Sequence, residues 1–519
     1  MEADISGVDP RPVAASDPDA DLRPVADLTA QTVRGAAWST LSIVGQRGLS
    51  LLSTLVLARL LAPSAFGLLG MATVLTAAMS SFKDLGTAAA LIQRKELNGQ
   101  LASTLFWTNA LIGVVGAAFI VGLAPAVATL YREPKVAPVL AALSISFLIN
   151  NLGVVQRAVL ARGMVFRRLS VIQLSASAAS AAVGIGLALA GAGVWSLVVA
   201  VTSEAVTAVG SYWLGCPWRP GWHWSLRDLQ SVTRFSANLT GSNLAHYFVR
   251  NMDNALIGRF LGAAALGYYA LAYGLMMYPL YNVTWNLGNV LFPALSRIQE
   301  DNTRLRQAYV RALSVIATIT FPLMLGLLAT ADLLVLACFG AKWAPMAPIA
   351  RILAPVGLLQ SITVTTGMIF TAKGRTGLQF RWALIETFFV LPAFVIGLRW
   401  GTVGVASGYA VSQFLLCYPL FMIVGRIIDL RVPELARALW PALRNATVML
   451  AVVLLTRLAL PLLGVERAGP LFGATLAMGV TVYVALLLRS HSPALREALG
   501  LLPFDGIAWL RRGASLHGS

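Results

Sequence analysis

The chain has 519 residues, 57% of them apolar and only 12% charged, with a net charge of +17 and a mean hydropathy of +0.74. A soluble domain carries roughly 25% charged residues, and no single core buries this much apolar surface, so lipid is the solvent for most of the chain. Four histidines and three cysteines show no ligand spacing, so a metal site, a disulfide framework and a cofactor are not expected, and no basic tract points to nucleic acid.

Residues 1–30 hold seven acids against two arginines, with Pro10, Pro12, Pro18 and Pro24. They read as a disordered acidic tail without a cleavable signal. Fourteen apolar segments follow, each able to cross a hydrocarbon core of about 30 Å. They run 36–61, 66–92, 101–130, 136–161, 170–190, 194–214, 233–260, 266–297, 310–335, 346–372, 378–398, 402–426, 438–462 and 469–489. The expected fold is an all-α polytopic membrane protein, and very short links make several pairs helical hairpins.

Charge tests this division. Of the 39 Lys and Arg residues, 27 flank the even-numbered loops and termini and nine the odd-numbered loops, while Arg47, Lys83 and Arg250 fall inside segments. Basic residues accumulate in cytoplasmic loops, so both termini are expected in the cytoplasm. An odd number of segments would scramble the pattern, which favours fourteen, or twelve without the last pair.

The chain also echoes itself. Residues 58–70 (ARLLAPSAFGLLG) align with 258–270 (GRFLGAAALGYYA) at an offset of 200, bringing Arg59 to Arg259 and Gly67 to Gly267. Ala161-Arg162-Gly163 aligns with Ala372-Lys373-Gly374, and Gly193-Val194-x-Ser196 with Gly404-Val405-x-Ser407, both at 211. Six segments per copy is an even number, so the repeat is parallel and a cavity is expected between two lobes. The implied parts are an N-lobe at 31–214, a connector at 215–232 rich in interfacial tryptophan, a C-lobe at 233–427, a further helix pair at 428–490 and a tail at 491–519.

The seventh segment aligns Ser242, His246, Arg250 and Asp253 on one helical face, and the first aligns Ser42, Gln46, Ser50 and Ser53 in the same register. Polar stripes at depth must face protein or water. Arg250 and Asp253 read either as a structural i,i+3 ion pair or, with Arg47, as a site for an anionic group that the arginine fork matches. Glu204 and Glu386 are isolated intramembrane carboxylates and, with Asp253, candidates for ion coupling. The eighth segment sets Tyr278, Tyr281, Asn282, Trp285, Asn286 and Asn289 on one face, suited to sugar rings or to ordinary packing, and Pro279 there provides a hinge or kink. Lys83 and Asp84 sit near a segment end, and Arg59 and Arg259 are expected to snorkel to headgroups.

The stretch RNMDNALIGRFLGAAALGYYALAY at 250–273, its echo at 58–70, and ARGMVFRRL at 161–169 resemble the polysaccharide-transporter branch of the multidrug/oligosaccharidyl-lipid/polysaccharide exporter superfamily. Within it, they resemble colanic-acid-type lipid-linked oligosaccharide flippases. The resemblance covers about residues 30–490. It implies two six-helix lobes alternating between inward- and outward-open states in a bacterial inner membrane. It also implies undecaprenyl-diphosphate-linked repeat units as substrate, membrane lipids and polysaccharide polymerase or export machinery as partners, and basic cavity residues, here Arg47 and Arg250, meeting the diphosphate. Rival readings are a cation-coupled drug or metabolite antiporter of the same superfamily, a membrane glycosyltransferase or polymerase, and a scaffold. No odd-numbered loop is large enough for a catalytic site, and no enzymatic step is expected.

Overall fold

The computed structural model describes residues 43, 45–80, 91, 99–163, 165–462, 464 and 467–489, and of residues 166, 227–250, 285–286 and 289–290 only the backbone. The acidic tail, Lys83, Asp84 and Ser42 lie outside the described residues, as do 490–519. The described chain is helical almost throughout. In the first half α1 spans 45–60, followed by α2 (Pro63–Ser80), α3 (Gly99–Tyr131), α4 (Val136–Asn151), α5 (Val154–Arg162), α6 (Phe166–Leu189) and α7 (Val194–Gly215). In the second, α8 (Leu226–Pro279) is broken at Gly262 (φ 86°), a left-handed position that glycine adopts freely. It is followed by α9 (Trp285–Arg297), α10 (Asn302–Leu334), α11 (Met346–Thr363), α12 (Thr366–Ala372), α13 (Thr376–Gly397) and α14 (Gly401–Ile428), and the chain closes with α15 (Val432–Leu462) and α16 (Ala468–Arg489).

Among the described residues, eleven stretches are long and apolar enough to span a membrane. Two of these, Asn251–Thr284 and Thr376–Ile428, each hold two of the segments expected from sequence, and the first segment is described only from residue 45. The connector is shorter than expected, because α8 starts at Leu226. Its tryptophans fold back on α3: Trp222 stacks on Trp107 at 4.7 Å, and the Trp107 indole donates to the Gly221 carbonyl.

The two halves repeat each other in detail. The helix that begins as α4 breaks at Leu152–Gly153, and the one that begins as α11 breaks at Val364–Thr365, 212 positions on. At the ends of the resumed helices, Arg162 donates to the Leu91 carbonyl at 2.8 Å and Lys373 to that of Gln299, so a basic side chain tethers the even-numbered segment in each half. Gly193 (φ 58°) and Gly401 (φ 68°) open α7 and α14 with nearly the same backbone. This corrects the sequence alignment there by three residues: Gly404 lies inside α14, pressed against Gly397.

The halves meet where α2 crosses the part of α8 beyond Gly262. A Cβ added to Gly67 would sit 1.6 Å from the Ala263 carbonyl oxygen, and one on Gly267 2.0 Å from that of Pro63. Both residue pairs are related by the offset of 200, so the contact is reciprocal about a pseudo-twofold axis, as in an isologous interface. Small residues permit such backbone contact, which is how helices associate where lipid removes the hydrophobic drive.

The last two helices dock on α10. The Tyr483 hydroxyl donates to the Thr318 carbonyl at 2.6 Å, and Met449 and Val453 pack with Phe321 and Leu325. Arg457 of α15 forms a forked pair with Asp332 of α10, which also receives Arg351 at 3.1 Å.

Candidate functional site

The halves are latched at the end of the bundle opposite the basic loops. Arg59, at the end of α1, donates from Nε to the Cys338 carbonyl at 2.7 Å and from its other nitrogen to that of Ala337. These carbonyls belong to a π-helical turn, Val335–Phe339, whose wider hydrogen bonding leaves acceptors exposed. Lys342 Nζ donates to the Arg59 carbonyl and the fully buried Trp343 indole to that of Ala58, each at 2.7 Å. Arg59, expected to snorkel, instead ties the lobes, because carbonyls freed by the π turn lie within hydrogen-bond reach of its guanidinium. The pseudo-equivalent contact brings Tyr131 of α3 against Gly258, while Arg259 lies over its neighbour Phe260 at 5.5 Å.

Within the second half, α8, α11, α12, α13 and α14 enclose a pocket of about 350 Å³. Asp253 and Glu386 both line it. Asp253 is buried, with Oδ2 accepting from the Tyr269 hydroxyl at 2.9 Å and Oδ1 from the Asn254 amide at 2.7 Å. Glu386 is half-buried and accepts from Gln413 Nε2 at 3.1 Å. Tyr273, Tyr409, Trp382 and Phe394 supply aromatic walls, and Gln360 bonds the Tyr409 hydroxyl.

Of the two polar stripes, the first is described from Gln46 onward. Gln46 donates to Gln173 of α6 at 3.4 Å, Arg47 and Ser50 are exposed, and Ser53 is half-buried. The side chains of Ser242, His246 and Arg250 lie outside the described residues, as do those of Trp285, Asn286 and Asn289. Tyr281 is exposed and sits in a π-helical turn, Leu280–Thr284, immediately after Pro279. The proline removes an amide and loosens the backbone as expected. The wider turn also shifts the register, so an aromatic and amide face counted at 3.6 residues per turn does not continue through it.

The two glutamates are less isolated than their sequence context suggests. Glu204 of α7 is hydrogen-bonded by Ser177 of α6, and Glu386 of α13 by Gln413 of α14. Both members of one bridge relate to the other by 209 positions, so each half carries one carboxylate at the same interhelical station. Sequence reasoning missed Gln360, Trp382, Tyr409 and Gln413. Their only signal was three amide or hydroxyl groups inside otherwise apolar helices.

With this geometry in place, comparison with known proteins identifies the family. A family model described as "Polysaccharide biosynthesis protein" matches residues 56–348. The chain belongs to that family. It is 32% identical over 391 residues to the lipopolysaccharide biosynthesis protein WzxC of Escherichia coli (strain K12), covering 75% of this chain and 80% of the relative. The teichuronic acid biosynthesis protein TuaB of Bacillus subtilis (strain 168) is 30% identical, covering 68% of this chain and 74% of the relative. The succinoglycan biosynthesis transport protein ExoT of Rhizobium meliloti (strain 1021) is 26% identical, covering 71% and 75%. Among solved structures, the lipid II flippase MurJ in an inward closed conformation superposes with a TM-score of 0.68 at 14% identity, covering 87% of this chain and 98% of that one. The fold is thus that of a multi-pass transporter-like membrane protein, as the resemblance implied.

Proposed function

We propose that this protein flips undecaprenyl-diphosphate-linked oligosaccharide repeat units across a bacterial inner membrane by alternating access. Family membership and relatives named for polysaccharide biosynthesis and transport support this reading. The observation that carries it is the latch: two pseudo-equivalent halves pressed together at one end, opposite the basic loops. With those loops in the cytoplasm, the latched end faces the outside, so this state is shut toward that side. A diphosphate and sugar headgroup cannot cross hydrocarbon unaided, because each unsatisfied polar group or charge there is costly. A wet path between lobes removes that cost while the lipid tail stays in the bilayer, and no covalent step is needed.

In this reading Arg47 and Arg250, from α1 and α8, meet the diphosphate. Gln46, Ser50, Ser53 and His246, with Tyr281, Trp285 and Asn286, form the remaining cavity wall. Asp253, Glu204 and Glu386 are the carboxylates able to couple an ion gradient to the motion. The test is the sidedness of lipid-linked oligosaccharide in cells with and without the protein, probed by a membrane-impermeant sugar-modifying enzyme. Accumulation on the cytoplasmic leaflet in its absence is expected. An unchanged distribution in cells lacking any redundant flippase refutes the reading in favour of a small-molecule antiporter.

A further inference from the structure

The pocket inside the second half is deeper than it is wide. One stripe of α13, from Gln379 to Phe394, lines it over 15 residues, roughly 22 Å of helix. Gln379, at the end near the basic loops, is exposed, and Phe394, at the far end, is buried. A volume of about 350 Å³ equals the liquid share of roughly a dozen waters. It lies in the range of small-molecule sites and far above what one cation occupies.

Its lining decides the kind of occupant. Two carboxylates and three glutamines line it, and among the described residues no Lys, Arg or His does. That described lining offers an anion no counter-charge and favours a neutral occupant. Trp382, Tyr273 and Tyr409 line it among those amides, a combination suited to a group with apolar faces and a rim of hydroxyls. Gln360 supplies an independent sign. It is 5% exposed; one end of its amide bonds the Tyr409 hydroxyl, and the other has no partner among the described residues. Buried amide groups are nearly always satisfied, and the Gln360 amide oxygen, unpaired among the described residues and lining a pocket, is an acceptor open to a hydroxyl donor from an occupant.

The repeat sharpens the point. Counting back from the matched helix breaks, Gln360 corresponds to Leu148, and Tyr409 corresponds to Val201 counting from the matched glycines or to Ala200 counting from the Glu204 and Gln413 station. The polar pair thus belongs to the second half alone. Packing that serves the bundle would be shared by both halves, whereas a recognition site is needed once.

We infer that this slot binds an uncharged pyranose unit of the lipid-linked saccharide. Its ring stacks against Trp382 and Tyr409, and its hydroxyls take the free end of Gln360, Gln413 and the two carboxylates. The inference rests on the flippase reading for its substrate class. It separates the headgroup's parts, with a sugar unit in this slot and the diphosphate at Arg47 and Arg250.

The test uses purified full-length protein in nanodiscs and saturation-transfer NMR with four probes: methyl glucoside, methyl galactoside, methyl N-acetylglucosaminide and methyl glucuronide. At least one neutral glycoside is expected to bind, with the glucuronide weaker. Gln360→Leu and Trp382→Leu are each expected to weaken that binding by about tenfold, the loss of one good contact. Trp382 is half-buried, so its variant remains informative where Gln360→Leu does not fold. No binding of any neutral glycoside, equal binding by the folded variants, or preference for the glucuronide overturns the proposal. So does a sodium response lost in Gln360→Leu without glycoside binding. Leaflet sidedness is measured separately, so a failed flippase reading leaves unaltered sidedness with the glycoside result intact, and a failed slot leaves normal flipping with no glycoside bound.

Discussion

The crossing of α2 and α8 gives a quantitative handle on the conformational cycle. Real Cβ contacts essentially never fall under 3.0 Å, and the added Cβ atoms of Gly67→Ala and Gly267→Ala would lie at 1.6 and 2.0 Å from backbone oxygens. The helices must separate by the difference, 1.4 and 1.0 Å, and backbone does not yield as a side chain does. Overpacking of this kind costs about 1–3 kcal/mol per site. Levied only on the latched state, that shifts the balance between states by about 5- to 150-fold. Native Cys338, half-buried beside Arg59, reports the shift in a background carrying Cys216→Ser and Cys417→Ser. Labelling by a membrane-impermeant maleimide from outside is expected to rise, and polymer export to fall, with the protein still inserted. Gly122→Ala is the control, because an added Cβ there meets nothing within 4 Å. Unchanged labelling and wild-type export in the double alanine variant would refute the latch.

Arg250→Ala is expected to abolish polymer export at normal membrane levels of the protein. Wild-type export would return Arg250 and Asp253 to a structural ion pair. Deleting residues 2–28 should leave export intact, and its loss with normal protein levels would refute a spectator tail. Asp332→Ala leaves Arg457 and Arg351 without their shared carboxylate and should lower stability by about 1–3 kcal/mol, seen as a lower melting temperature in detergent. Arg351→Ala, at a more exposed partner, should cost less. A larger loss from Arg351→Ala would mean that Arg457 is not the main tie between α10 and α15.

What was legible in the sequence was whatever depends on local composition. Apolar length gave the helices, and the echo at 58–70 and 258–270 proved to be the two sides of one crossing. The breaks at Leu152–Gly153 and Val364–Thr365 were not legible, because an apolar run reads the same whether straight or bent. The π turns after Pro279 and before Gly340 were hidden for a similar reason. They depend on how neighbouring helices satisfy loosened carbonyls, as Arg59 does for Ala337 and Cys338. The pocket was beyond reach, since it draws Asp253, Gln360, Glu386 and Tyr409 from four helices far apart in the chain. Single polar residues in apolar helices do not announce which of them converge.

A perfectly repeated pair of lobes makes a symmetric rocker, with no reason for one end or one half to differ in chemistry. This chain keeps the repeat where the motion needs it: at the reciprocal glycines, at the tethers Arg162 and Lys373, and at the helix openings Gly193 and Gly401. It breaks the repeat at the latch and at the slot. Arg59 ties the halves through the π turn while Arg259 lies over Phe260, and Gln360 and Tyr409 stand where the first half has apolar residues. The glutamate station is kept in both halves but moved from α7 in one to α13 in the other, so only the second carboxylate faces a pocket that also contains Asp253. Departures from internal symmetry inside the slot are therefore where mutations should change what is carried, and the latch with the matched stations of the repeat is where they should change whether the protein moves at all.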